Sequence, residues 1–428
     1  MTARHAPGTA MPWWRALCSR RMAICVATGF SSGLPLYMLL NLLPAWLQGA
    51  GVSLKEIGLF ALIQFPYTWK FLWSPLLDRY ALPWLGRRRG WMLVTQLGLL
   101  IAIAAFGALE PAQQLGWVYW LAGAVALISA TQDIVLDAYR RELLPETELG
   151  LGNAVHVNAY RIAGLVPGSL ALVLADRLPW DTVFAITAAF MLPGMLATCL
   201  IREPHSATTP SSLRAAVIDP FREFLNRRGA AGAIWVLMFI FLYKLGDSMC
   251  TALATPFYLQ MGYTKSEIGA IAKNAGLWPS VLGGFAGGIW MLRLGIHRAL
   301  WVFGGVQWLA ILGFAWLAWL GPAVATPERL LALALVIGFE ALGVGLGTAA
   351  FVAYIARETN PAYTATQYAL FSSLAAVPRT FVNASTGWMV ESLGWVEFFL
   401  FCALLGLPGM ALLLKVAPWR ERHPSSLD

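Results

Sequence analysis

Long apolar stretches recur along the whole chain and are separated by short polar connections. We distinguish twelve stretches that are long enough to cross the ~30 Å hydrocarbon core of a bilayer as helices. They are too long for the strands of a membrane barrel. Their centres lie near residues 34, 65, 100, 127, 162, 191, 245, 279, 310, 342, 377 and 405. The pattern therefore predicts an all-α polytopic membrane protein with twelve transmembrane helices.

The longest polar connection, IREPHSATTPSSLRAAVIDPFREFLNRRGA (201–230), divides the predicted helices into two sets of six. The two halves also repeat each other weakly: SLKEIGLFA (53–61) recurs as TKSEIGAIA (264–272), and AYRRE (138–142) recurs as AYIARE (353–358). The predicted segments are an N-terminal tail 1–21, a six-helix bundle 22–201, a linker 202–230, a second six-helix bundle 231–415 and a C-terminal tail 416–428. This parallel duplication resembles the major facilitator superfamily, in which substrate binds between the halves near the bilayer midplane.

Composition and charge agree with a membrane protein and add its orientation. The chain is 58% hydrophobic and 12% charged, with a mean hydropathy of +0.64, whereas soluble domains are roughly 25% charged. Of the 30 Lys and Arg residues, 21 fall on the side of the termini, so we predict that both termini and the linker are cytoplasmic. This topology and contact with anionic lipid explain the net charge of +8 without a nucleic-acid partner. The five cysteines show no disulfide or metal spacing, and we predict no cofactor.

Charged residues within the predicted helices are confined to a subset of them. Each charged side chain raises the free energy of membrane insertion by at least ~2.5 to 3.5 kcal/mol when it faces lipid. Such side chains should therefore face protein or water. The residues are Lys70, Asp133, Asp137, Arg161, Lys244, Asp247, Lys273, Glu340 and Arg379. Predicted helices 3, 6, 9 and 12 carry none. The distribution predicts a polar central cavity with those four helices outside it, as in the facilitator fold.

The connection after the second predicted helix contains SPLLDRYALPWLGRRRGW (74–91). It resembles the G-x-x-x-D-R-x-G-R-R segment of facilitators, with Ser74 for the first Gly and extra residues before Gly86. The resemblance implies that Asp78 and Arg79 lock helices together at the cytoplasmic side in one of two alternating states. A basic signal for membrane topology is the alternative reading of the same residues.

Four strings in order give a narrower resemblance. GFSSGLPL (29–36), KFLWSPLLDRY (70–80), GRRRGW (86–91) and ATQDIVLDAYRRELL (130–144) are similar to segments of the AmpG-type muropeptide permeases. The resemblance implies proton-driven import of N-acetylglucosaminyl-1,6-anhydro-N-acetylmuramyl peptides across the inner membrane of a Gram-negative bacterium. That flux serves peptidoglycan recycling and, in some bacteria, induction of a chromosomal β-lactamase.

A muropeptide presents sugar faces, amides and carboxylates, so its carrier needs aromatic surfaces, polar amides and a few bases. The substrate-binding candidates are Arg161, Arg379, Lys70, Gln132 and Lys244. For Arg161 and Arg379, the sequence supports a structural ion pair as well as it supports substrate binding. Lys244 and Asp247 lie three residues apart and are suited to an intrahelical pair.

Two acids four residues apart, Asp133 and Asp137, lie near the inner end of the fourth predicted helix. The second half carries Thr348 and Val352 at the repeat positions, so the fold itself does not require carboxylates there. We predict that Asp133 carries the coupled proton, with Glu340 as the next candidate; a helix-packing hydrogen bond is the structural alternative. Asp137 and Arg141, four residues apart, are predicted to form a gating ion pair.

Two other functions remain open from the sequence. A facilitator for another bulky hydrophilic solute, such as acetyl-coenzyme A, a sugar or a siderophore, would share the fold. An intramembrane transferase is the alternative of a different class, but its expected His or acid cluster near an interface is not evident. The expected partners are a glycopeptide substrate, protons and membrane lipid, and the expected oligomeric state is a monomer.

Overall fold

The computed structural model describes residues 17–52, 56, 65–82, 85–203, 212–323 and 326–419. In these ranges the chain is helical, and the only β-type pairing is an isolated bridge between Leu82 and Gly86. Nine helical spans within these ranges are long and apolar enough to cross a membrane. The all-α membrane fold is thus confirmed, whereas the count of twelve helices and the bundle boundaries stay predictions.

The helices follow the predicted order, and we number them accordingly. Helices α1 to α6 are Arg20–Gly49, 65–79, Arg87–Ala108, Pro111–Leu143, Glu146–Ala175 and Trp180–Leu200. Leu213–Gln260 bends at Gly229 (φ 68°) into a linker helix (213–228) and α7 (230–260). Lys265–Trp319 bends at Gly295 (φ 73°) into α8 (265–294) and α9 (296–319). The last three helices are α10 (Pro327–Glu358), α11 (364–393) and α12 (Trp395–Val416).

Several helices depart from α geometry near the predicted charged positions. A π-helical turn occupies Met38–Leu42 in α1 and Val166–Leu170 in α5, and α2 has a 3-10 turn at Lys70–Leu72. Such irregular turns are frequent at functional sites. The 3-10 turn of α2 begins at Lys70, one of the predicted substrate-binding residues.

Each half has an apolar core of its own, and the halves meet at one end. One core contains only residues 34–191, and another contains only residues 245–403. Two further clusters mix residues of both halves, for example Leu151 with Met291, and Ile134 with Ala365. They lie at the end where α1 begins and α12 ends, which we call the terminal end.

Helices α1 and α5 cross at close range because of two glycines. A Cβ atom on Gly29 would lie 2.2 Å from the His156 carbonyl oxygen, and one on Gly33 would lie 2.3 Å from that of Tyr160. Since both obstacles are backbone atoms, no rotamer change can relieve them. Glycine at these positions thus sets the distance between two helices that carry polar residues of the site.

We expect Gly33→Ala to destabilise the protein, because the added methyl group must push α1 away from α5. Overpacking of this kind costs about 1–3 kcal/mol. The measurement is the unfolding midpoint of the purified protein in detergent. Gly123→Ala is the matched control, since a Cβ on this helical glycine of α4 would meet nothing within 4 Å. An equal or smaller loss of stability in Gly33→Ala would contradict the close-packing argument.

Candidate functional site

Charged side chains of α2 and α4 form a cluster in the N-terminal half. The Lys70 ammonium lies 3.6 Å from one oxygen of Asp137, and the guanidinium of Arg140 donates to the other oxygen at 2.7 Å. One turn deeper, Asp133 accepts a hydrogen bond from the Ser32 hydroxyl of α1 at 2.5 Å. Lys70 and Asp133 also lie within electrostatic range of each other. The cluster therefore joins three helices through two acids and two bases.

The partner of Asp137 differs from the sequence expectation. Asp137 pairs with Arg140 and Lys70, whereas Arg141 pairs with Glu146 at 3.0 Å and donates to the Thr359 carbonyl of the other half. The i, i+3 spacing brings Arg140 to Asp137, whereas Arg141 lies about 100° further round the helix and reaches Glu146. The gating roles of Asp137 and Arg141 stay predictions. The arginine that pairs with Asp137 is Arg140 and not Arg141.

Arg140 also connects the two halves and was not among the predicted site residues. Its guanidinium donates to Asn153 of α5 at 2.8 Å and to the Tyr368 hydroxyl of α11 at 2.9 Å. The guanidinium carbon lies 5.7 Å from the centre of the Tyr368 ring, within the range of a cation–π contact. Any separation of the halves at this point must break both contacts with Tyr368.

A second cluster lies mainly in the C-terminal half. Lys244 and Asp247 of α7 form the intrahelical ion pair that the sequence suggested, at 3.2 Å. Glu340 of α10 lies within electrostatic range of both and of Arg161. Arg161 reaches across from α5 and donates to the Ser280 carbonyl of α8 at 3.0 Å. This cluster therefore places two bases and two acids beside the contact between α5 and α8.

Two predicted substrate-binding residues are not brought to these clusters by the described contacts. Gln132 is fully buried within the N-terminal half and donates to Ser31 at 2.9 Å; Ser31 in turn accepts a bond from Gln96 of α3. These contacts belong to helix packing inside one half. The side chain of Arg379 lies outside the described residues, so its role stays a prediction.

A polar network closes the terminal end between the halves. Asp78, fully buried at the end of α2, accepts bonds from the backbone N–H groups of Ala365 and Thr366 and from the Thr366 hydroxyl, at 3.3, 2.9 and 2.8 Å. A carboxylate at this position satisfies the free N–H groups at the start of α11 and complements its dipole. Asp78 is thus a cap that one half places on a helix of the other half.

The arginine of this network is Arg88, whereas the sequence suggested Arg79. Arg88 is fully buried and lies 2.8 Å from Asp78 and 2.6 Å from Glu142, and it donates to Thr364 of α11 at 2.6 Å. Thr364 also hydrogen-bonds Glu142. Arg79 is half-buried, with its guanidinium 5.6 Å from the Tyr80 ring centre. The predicted cap by Asp78 is present, but its ionic partner is Arg88, which pairs with Glu142 as well.

Glu142 could have been found from the internal repeat. The last residue of AYRRE is Glu142 and the last residue of AYIARE is Glu358, and both are nearly fully buried. Glu358 pairs with Arg228 and lies 3.8 Å from Arg227. An acid kept in both copies of a weak repeat, with arginines beside it, indicates an ion pair at the end of a helix.

The contact between α5 and α8 contains an unsatisfied polar side chain. Asn158 is fully buried, and neither its amide nitrogen nor its amide oxygen has a hydrogen-bond partner among the described residues. It packs on Gly284, where a Cβ atom would lie 2.4 Å from the Asn158 amide oxygen. A buried polar group without a partner costs about 1–3 kcal/mol. The contact between α5 and α8 therefore includes a polar side chain whose hydrogen bonds the described residues leave unmade.

The described residues offer no group of three or more His, Cys, Asp or Glu side chains placed to hold a metal ion. The two clusters described above consist of paired acids and bases near the contact between the two halves. Such groups can bind charged solutes and take up protons, and their contacts change when the halves move.

Comparison with known proteins assigns the family. The model of the Major Facilitator Superfamily matches residues 25–382. A Haemophilus influenzae protein described as uncharacterized is 50% identical over 409 residues, 95% of this chain and 96% of that protein. The anhydromuropeptide permease of Escherichia coli strain K12 is 44% identical over 398 residues, 92% of this chain and 79% of that protein. A Rickettsia felis protein named putative transporter AmpG 4 is 34% identical over 397 residues, 90% of this chain and 94% of that protein.

Solved structures agree with the fold. The human organic anion transporter MFSD10 superposes with a TM-score of 0.68 at 16% identity, covering 94% of this chain and 100% of that one. The Major Facilitator Superfamily transporter FucP in its outward conformation superposes with a TM-score of 0.68 at 15% identity. The superposition covers 96% of this chain and 100% of that one. The chain therefore belongs to the major facilitator superfamily and, within it, to the AmpG-type permeases.

Proposed function

We propose that this protein is a proton-coupled importer of anhydromuropeptides, located in the inner membrane of a Gram-negative bacterium with both termini in the cytoplasm. The observation that carries the proposal is the 44% identity, over 92% of the chain, with a protein named anhydromuropeptide permease. Import of this solute would return cell-wall fragments for peptidoglycan recycling and, where the pathway exists, for β-lactamase induction.

The two charged clusters suit such a substrate. A muropeptide carries peptide carboxylates, and Arg161 and Lys244 supply bases beside the contact between the halves. Charge-assisted bonds from a guanidinium to a carboxylate are stronger than bonds between neutral groups. In this proposal Arg161 exchanges its bond to the Ser280 carbonyl for a bond to the ligand.

The proton would be carried by the other cluster. Asp133 has a neutral partner in Ser32 and a cationic neighbour in Lys70, so its carboxyl group can exist with or without a proton. Proton movement could change the bonds of Asp137 and Arg140, and through Tyr368 the contact with the other half. We assign the closed terminal end to the state that receives substrate from the periplasm.

Uptake by the purified protein in lipid vesicles tests the proposal. Radiolabelled N-acetylglucosaminyl-anhydro-N-acetylmuramyl tripeptide should accumulate when the outside is acidic, and an uncoupler should abolish the accumulation. Recovered ligand should be chemically unchanged, which distinguishes a carrier from a transferase. Failure of the tripeptide to enter, together with uptake of acetyl-coenzyme A, a sugar or a siderophore, would replace the proposed substrate.

We expect Arg161→Ala to weaken tripeptide binding about ten- to hundredfold, because a hydrogen bond to a charged group contributes about 1.5–3 kcal/mol. Removal of a buried cation should not hinder membrane insertion, so expression should hold. Equilibrium binding to the purified protein measures the effect. Arg177→Ala, which removes an exposed arginine from the opposite end, is the matched control. Normal binding with lost expression would make Arg161 a structural residue.

A further inference from the structure

The linker helix (213–228) is an amphipathic helix outside the apolar part of α7. Its first turn is capped by Ser212, whose hydroxyl accepts the N–H of Ala215 at 3.1 Å. Its end is set by Gly229, where a positive φ turns the chain directly into α7. The helix therefore lies at the terminal end, where the membrane-spanning part of α7 begins.

One face of the linker helix is fixed to the protein. The Phe224 ring lies 5.1 Å from the ring of Phe371 in α11. The Gln367 amide donates to the Pro220 carbonyl at 2.9 Å and to Glu223 at 2.7 Å. These contacts bind the linker helix to the same end of α11 that Asp78 caps.

The side of the linker helix that faces away from α11 carries apolar side chains, and nothing in the described chain covers them. Its exposed side chains are Leu213, Val217, Ile218, Phe221 and Leu225, each between 36% and 48% exposed. Their spacing places them together on one side of a helix. Two exposed arginines, Arg214 and Arg222, accompany this stripe. We call these seven residues the outer face.

The surroundings indicate lipid as the occupant. The linker helix contacts residues 74–79 of α2, a helix that exposes Leu72 (63%) and Leu76 (41%) in the membrane-spanning bundle. Exposed apolar side chains therefore occur on both of these neighbouring helices. Beside it, a narrow crevice between the linker helix and α11 is lined by Phe221, Phe224, Leu370 and Phe371 among others. This crevice is too small for an acyl chain, so lipid would meet the apolar side chains at the outer face itself, where the arginines fit a lipid phosphate.

We propose that the linker helix lies in the bilayer interface and binds anionic phospholipid through the outer face. The apolar side chains enter the boundary of the acyl chains, and Arg214 and Arg222 contact the phosphate groups. Because the opposite face holds Gln367 and Phe371, the bound lipid adds to the attachment of α11 in the closed terminal end. This inference concerns lipid and does not depend on the identity of the transported solute.

Photo-crosslinking of the full chain in lipid vesicles tests the position of the helix. Phe221→p-benzoylphenylalanine and Leu225→p-benzoylphenylalanine should form phospholipid adducts, detected by mass spectrometry, at least about tenfold more than Asn226→p-benzoylphenylalanine. Asn226 is exposed on the same helix but outside the apolar stripe, so it is the matched control. Equal adduct yields at the three positions, or a crosslink from 221 to a second copy of the chain, would overturn the proposal.

Vesicles that contain equal amounts of phosphatidylglycerol and phosphatidylcholine test whether the two arginines select anionic lipid. Adducts at 221 should be enriched in phosphatidylglycerol, and Arg214→Gln with Arg222→Gln should reduce the enrichment about fivefold for each arginine removed. Arg177→Gln, which removes a charge from the other end, should leave the enrichment unchanged. Enrichment that persists in the double variant would overturn the assignment of the two arginines to the phosphate.

Discussion

Asp133→Asn is expected to abolish proton-driven accumulation of the ligand while ligand binding and downhill exchange survive. Asparagine has the size of aspartate and can still accept the bond from Ser32, but it cannot release a proton. An outside pH that is lower by one unit contributes about 1.4 kcal/mol per symported proton, which supports an accumulation of about tenfold whatever the charge of the ligand. In the variant the ratio of inside to outside ligand should fall to one. The measurement is labelled uptake into vesicles with and without an imposed gradient.

Asp181→Asn is a suitable control, because Asp181 is an exposed acid at the start of α6, at the opposite end. This variant should accumulate ligand like the unmodified protein. Gradient-dependent accumulation by Asp133→Asn would place the proton site elsewhere, and Glu340→Gln would then be the next variant. Loss of both exchange and binding would assign Asp133 to ligand contact or to packing.

Asp78→Asn is expected to open the terminal end. The substitution removes the charge that pairs with fully buried Arg88 and that caps the start of α11. Breaking a buried ion pair by removing one partner costs about 3–5 kcal/mol. Since Arg88 keeps Glu142, we expect about 3 kcal/mol, or a shift of more than a hundredfold in the ratio of closed to open protein. Import should become slow because the carrier no longer returns to the closed state.

Spin labels at Ala81 and Arg293 report the distance between the halves, because both residues are exposed at the terminal end. Asp78→Asn should increase the population at long distances, whereas Arg79→Gln should not. Arg79 is the neighbouring residue, and its described contact is with the Tyr80 ring. A distance distribution unchanged by Asp78→Asn, or changed equally by both variants, would contradict the assigned role of Asp78.

The fold was largely predictable because its signals are local in sequence. Apolar runs identify helices, and the polar run 201–230 marks the connection that contains the linker helix. The weak repeat indicated the duplicated architecture of the family. The helix breaks at Gly229 and Gly295 were harder to predict from the sequence. A glycine in an apolar segment can serve a turn or close helix packing equally well.

The site was predicted in part, and the failures have a common cause. Sequence spacing found the pair Lys244–Asp247, because it depends on one segment, and the resemblance to facilitators found the cap residue Asp78. It did not select Arg140 or Arg88, because the acids that pair with them lie on other segments or on a helix that carries two successive arginines. Tyr368 was not identified at all, because its contact with Arg140 exists only when the two halves meet.

The buried amide of Asn158 has a consequence for the rate of the transport cycle. A closed end held only by well-paired charges would be a deep energy minimum, and a carrier resting in it would turn over slowly. Among the described residues, neither end of the Asn158 amide finds a partner while α5 packs on α8, and bulk water would supply partners once the helices part. Hydration of one side chain thus offsets part of the cost of breaking the Asp78 network. We therefore expect the helices to begin to part at the contact between α5 and α8.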